Sequence, residues 1–121
     1  MSGGELNEAP TRRYTLFASV RKYSGAPALA DELVKKQEDI KSVLRPIQGF
    51  NAYYLLKTGD GAVSMTVCED RAGAEESNRV AASWLKDKLP TFATRPPEIS
   101  TGEVRIQLNG QVNGQAVRVS N

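Results

Sequence analysis

Histidine is missing from this chain, and cysteine occurs once, at Cys68. Without histidine there is no Ser-His or Cys-His pair for nucleophilic catalysis and no imidazole for a metal. A single cysteine forms no intramolecular disulfide, which fits a reducing, cytoplasmic home. No Cys, Asp or Glu grouping has metal-ligand spacing and no glycine run cradles phosphate, so neither a metal nor a cofactor is expected. An excess of one charge is also lacking. Sixteen basic and 14 acidic residues are interspersed and leave a net +2, with no basic stripe to track nucleic-acid phosphates. No apolar run approaches the ~20 residues of a membrane span, and Met1–Arg13 carries no apolar signal core. What is present is 40% hydrophobic in 121 residues, enough for one core in one domain.

Residues 1–12 hold Gly, Glu, Asn and Pro without apolar periodicity and are expected to form a loose N-terminal arm. The first strand is predicted at about Arg13–Arg21, with Tyr14, Leu16, Ala18 and Val20 on one face and Thr15, Phe17, Ser19 and Arg21 on the other. Ser24-Gly25-Ala26-Pro27 turns the chain into a helix whose stripe is Leu29, Leu33, Ile40 and Leu44. Its acidic start and basic end suit the helix dipole, and Pro46 and Gly49 end it. Phe50–Lys57 and Ala62–Glu69 alternate as a hairpin around Thr58-Gly59-Asp60-Gly61, where glycine and Asp suit positive φ. Asp70 is placed to cap a second helix, with Ala74, Val80, Ala81, Trp84, Leu85 and Leu89 inside. Pro90, Pro96 and Pro97 stop it. A fourth strand is predicted over Glu98–Leu108, where Gly102 suggests a bulge or a close backbone approach. The tail, 109–121, has two Asn-Gly pairs and an alternating Val117-Arg118-Val119, and reads either as a polar end or as a short extra strand.

The order β-α-β-β-α-β over residues 13–108 has few solutions. Right-handed crossovers leave a gap between parallel strands one and two. Strand three fills it and strand four returns beside strand one. The result is an α+β, ferredoxin-like fold: a four-stranded antiparallel sheet with two helices on one face. The other sheet face must carry either Leu16 and Tyr54 or Phe17 and Tyr53, apolar in both cases. Such a face marks an interface. A homodimer through the sheet, a dimeric α/β barrel, is the expectation.

Two stretches carry a family resemblance. Ile47-Gln48-Gly49-Phe50-Asn51-Ala52-Tyr53-Tyr54 resembles the P-G-F-x-x-Y run that opens strand two in antibiotic-biosynthesis-monooxygenase-like domains. Val67 to Ser77 is similar to their exit from strand three, where an acidic residue and Asp lead into an Ala/Glu-rich helix. The likeness spans roughly Tyr14 to Ile106. It implies a dimeric α/β barrel whose ligand pocket lies between sheet and helices, where polar side chains position an aromatic substrate. Cofactor-free oxygenases, isomerases and haem enzymes share that superfamily, and the absence of histidine removes a histidine-ligated haem.

Asn51, Tyr53, Tyr54 and Trp84 are the candidate ligand-binding residues: the first three offer hydrogen bonds from strand two, and Trp84 offers a pocket floor with an N–H donor. Packing alone is the commoner account of both tyrosines and of Trp84. Cys68 reads as an inert strand residue unless its pKa is depressed. Asn78 and Arg79 sit either at a pocket mouth or on a solvated face. Arg21 and Lys22, near Tyr23, either hold an anionic ligand or are surface charge. Three functions stay open. One is a cofactor-independent monooxygenase or isomerase acting on a small aromatic or polyketide-like molecule. The others are a non-catalytic binding or structural dimer, and a sensor acting through another polypeptide.

Overall fold

The computed structural model describes residues 15–112 and 115–116. β1 (Phe17–Tyr23) is followed by α1 (Leu29–Lys35), α2 (Gln37–Leu44), β2 (Phe50–Lys57), β3 (Ala62–Cys68), α3 (Arg71–Lys88), a 3-10 turn (Pro90–Ala93) and β4 (Glu98–Glu103). The sheet order is β2-β3-β1-β4, antiparallel at every step. This is the ferredoxin-like α+β arrangement expected from the order of elements. β5 (Gln111–Val112) pairs with β6 (Gln115–Ala116) as a separate ribbon. The N-terminal arm and the Val117–Val119 alternation lie outside the described residues.

The helix expected between β1 and β2 is broken in two. Lys36 leaves helical geometry at φ −111° and ψ 29°, while its N–H still reaches the Leu33 carbonyl at 3.0 Å. The break separates residues that serve different clusters. Leu29 and Leu33 pack with Tyr23, Trp84 and Leu85, whereas Leu44 and Ile47 pack with Cys68 and Ala74. No proline or glycine marks this position, so apolar spacing alone continued the helix. α3 begins as expected: the Asp70 carboxylate accepts from the Gly73 N–H at 2.8 Å, satisfying one of the donors a helix start leaves unpaired.

Two glycine expectations change. Gly102 pairs with Ala18 in unbroken register, and a Cβ there would meet nothing within 4 Å. The irregularity lies instead between Phe50 and Ala52. Gly61 does not take positive φ in the hairpin. It is needed because a Cβ would stand 2.0 Å from the Tyr23 carbonyl oxygen. β4 is also shorter than expected and ends at Glu103, although the Val104 N–H still bonds to the Leu16 carbonyl at 2.8 Å.

Strand alternation decides what the helices cover. Arg21 and Ser19 bond to α3, so Phe17, Ser19, Arg21 and Tyr23 face inward, and register brings Ser64, Thr66 and Tyr53 to the same side. Of the two arrangements open from sequence, the one with Phe17 and Tyr53 inside is realised. The open face therefore carries Ala18, Val20 and Lys22 of β1, Ala52, Tyr54 and Leu56 of β2, and Val63, Met65 and Val67 of β3. Tyr54 and Leu56 are half-exposed there.

Candidate functional site

The helix-covered face of β1 and β3 is unexpectedly polar. Ser19, Arg21, Ser64, Thr66 and Ser77 are all buried, with Arg21 only 1% exposed. A guanidinium stays charged in a protein and is costly to desolvate, so its N–H groups must be engaged. Arg21 Nε donates to Ser64 Oγ at 3.0 Å, and Nη1 to Ser77 Oγ at 3.1 Å and to Asn78 Oδ1 at 2.8 Å. Nη2 donates to Thr66 Oγ1 at 2.6 Å. Asn78 Oδ1 also accepts from Ser19 Oγ at 2.6 Å, and that hydroxyl meets Thr101 Oγ1 at 3.0 Å. Every partner is neutral. No carboxylate forms a salt bridge with Arg21 among the described residues.

This network borders a cavity of about 40 Å3 between sheet and helices, lined by Arg21, Tyr23, Tyr53, Ser64 and Trp84 among aliphatic side chains of α1, α2 and α3. Burial pushes the phenols of Tyr53 and Tyr23 above the ordinary tyrosine pKa, while the Arg21 charge opposes that rise. Burial lowers the Arg21 pKa, and the nearby phenol groups work against it. The Trp84 indole Nε1–H is buried, with no hydrogen-bond partner among the described residues. Such a donor costs about 1–3 kcal/mol while it stays unmet. A second, outer groove of about 580 Å3 runs between α1–α2 and the β2 edge. It shares Leu33, Ile40, Leu44 and Tyr53 with the cavity.

Of the residues singled out from sequence, Tyr53 and Trp84 meet at the cavity. Tyr54, one strand position on, takes the opposite parity, half-exposed on the outer groove. Asn51 is exposed at the β2 irregularity. Asn78 is drawn inward to Arg21, whereas Arg79 stays on the surface paired with Glu76. Cys68 is fully buried, and its thiol is pushed above its usual pKa by burial and by Asp70. Ser64, Thr66 and Ser77 were not singled out. Their signal is parity: each lies on the face or turn that meets Arg21, and serine or threonine in a strand reads as solvent-facing until the covered side is known.

No protein-family model and no curated protein matches the chain. Solved structures do match its fold. A protein of unknown function from Nitrosomonas europaea is 20% identical, with TM-score 0.58, covering 82% of this chain and 97% of that one. The ActVA-Orf6 monooxygenase of Streptomyces coelicolor, solved with nanaomycin D, is 20% identical with TM-score 0.57, covering 86% and 99%. A dimeric ferredoxin-like protein from an uncultured marine organism is 14% identical with TM-score 0.53, covering 79% and 92%. The chain thus has the ferredoxin-like fold of the antibiotic-biosynthesis-monooxygenase-like domains that its β2 and β3 motifs resemble. Among the described residues no helix is long and apolar enough to cross a membrane.

Proposed function

We propose that the chain pairs with a second copy through its open sheet face and binds a small aromatic molecule between sheet and helices, oxygenating it without a metal or organic cofactor. The observation that carries this reading is the cavity itself. Arg21, Tyr53 and Trp84 line a mostly apolar pocket, a few polar groups among aliphatic walls, as a site that fixes a ligand's orientation requires. A phenolic ring oxidised by O2 to a quinone takes up one oxygen atom and releases the other as water, and the ring itself supplies the electrons. The protein's part is then to desolvate the ring, hold it, and stabilise the negative charge that develops on its oxygen. Arg21 and Tyr53 are suited to that part. The ActVA-Orf6 likeness in fold agrees with this reading.

The pairing rests on the open face, where Val20, Met65 and Tyr54 lie side by side in register and Val63 and Leu56 follow, with Lys22 at their margin. An antiparallel sheet facing water would alternate to polar there.

An oxygen electrode tests the reaction, with naphthols, which carry a single phenolic oxygen, as substrates and with quinone and water rather than peroxide as the products. Wild-type protein is expected to consume O2 above the rate of autoxidation, and Tyr53→Phe to slow it. Binding without turnover would favour the second reading, a ligand-binding module, which is supported by the absence of any acid–base pair around the cavity.

A further inference from the structure

We infer that residues 104–108 of each protomer form an arm that lies along the β2 edge of a second copy and fills the outer groove there. This contact rests on the pairing proposed above and completes it. Val104, Ile106 and Leu108 alternate with Arg105 and Gln107, so an extended run puts the three apolar side chains on one face. That is the pattern of a strand with one covered side, and the sequence predicts a strand as far as Leu108. Within one chain it has no cover. β4 ends at Glu103, the Val104 N–H bonds to the Leu16 carbonyl, and beyond it no backbone bond holds residues 105–110 to the sheet among the described residues. Ile106 and Leu108 stand 80% and 87% exposed.

The complement lies on the opposite side of the sheet. β2 is an edge strand, and the outward N–H and C=O groups of such a strand are a template for another extended segment. The groove of about 580 Å3 beside it is walled by Leu33, Val34, Leu44, Phe50, Tyr54 and Leu56 among others. Six large apolar side chains are well exposed among the described residues: Val34, Tyr54, Leu56, Ile99, Ile106 and Leu108. Three line the groove and two are on the arm, so one contact covers all but Ile99. Lengths agree, since five extended residues reach ~17 Å along the ~26 Å of β2.

Three strand spacings, ~14 Å, separate β4 from β2 within a chain, and the exposure of Ile106 and Leu108 shows that the arm does not fold back onto its own groove. A second copy meets the geometry. Pairing the open faces about a two-fold axis along the strands sets the β4 edge of each copy over the β2 edge of the other. Tyr54 and Leu56 belong to both the open face and the groove, so the arm contact continues that interface. Symmetry docks both arms, and each groove is closed only by the other copy.

Cys68 is the chain's one cysteine and is fully buried, so Leu108→Cys gives a single site for a benzophenone maleimide. Irradiating the labelled full chain at micromolar concentration is expected to give a species of double mass on a denaturing gel. Mass spectrometry should place its cross-link within residues 33–57. Cross-links confined to one chain, those to residues 1–16 included, would overturn the inference, as would double-mass links elsewhere. Ile106→Asp combined with Leu108→Asp should raise the dimer dissociation constant at least about tenfold in sedimentation. Circular dichroism should stay unchanged, because both side chains face solvent in the single chain. A dimer indifferent to both changes would overturn the arm contact and leave the open-face pairing standing. A wild-type monomer would overturn both.

Discussion

Thr66→Val is the most informative single change outside the ligand question, because two physical effects predict opposite signs. Thr66 is fully buried on β3, where replacing a hydroxyl by a methyl ordinarily gains up to about 1 kcal/mol of apolar burial. Here the hydroxyl accepts from Arg21 Nη2 at 2.6 Å. Valine leaves that N–H facing a methyl, losing a hydrogen bond to a charged group worth about 1.5–3 kcal/mol. The charged bond wins, for a net loss of roughly 1–2 kcal/mol and a fall in Tm of roughly 3–10 °C. Urea unfolding followed by Trp84 fluorescence and circular dichroism measures it. A cycle with Arg21→Met isolates the pair. Once the cation is gone, Thr66→Val should become neutral or stabilising, with a coupling of about 1.5–3 kcal/mol. A Thr66→Val protein as stable as wild type, or additive behaviour in the cycle, would refute the view that Arg21 is a buried charge held by neutral acceptors.

Three further outcomes are expected. Asp70→Ala removes the acceptor for the Gly73 N–H and should cost about 1 kcal/mol, read from the urea midpoint, whereas Asp70→Asn should recover most of it. The Tyr53 phenol has its folded pKa raised by burial. Its contribution is complete below the unfolded value near pH ~10 and is lost as pH rises through the folded value. Tyr53→Phe should therefore shift alkaline unfolding upward in pH, and an unchanged midpoint would contradict that. Val20→Lys and Met65→Lys place charge on the open apolar face and should convert a dimer to monomer in sedimentation. A wild-type monomer at micromolar concentration would remove the basis for the pairing.

The fold was largely legible because its signals are local. The Phe50–Lys57 and Ala62–Cys68 strands alternate around a glycine-containing turn, Asp70 has the chemistry of a cap, and the prolines after Leu89 close the last helix. The break at Lys36 was not legible, because no residue there disfavours a helix and the cause lies in two clusters that the chain must reach. Gly61 was singled out for the right turn but for another reason, a close approach to the Tyr23 carbonyl visible only across strands.

The absence of histidine and the single cysteine removed whole classes of chemistry before any fold was known. Alternation placed Ser19 and Arg21 on one face of β1 and Tyr53 opposite Tyr54 in parity. Which face the helices cover depends on how α3 docks, and local sequence does not encode that choice, since both faces carry apolar residues. Tertiary structure made the choice, turning a strand arginine that reads as surface charge into a buried cation beside Tyr53 and Trp84. The candidate site exists because that docking moved Arg21 from water to a place where none of the described carboxylates meets its charge.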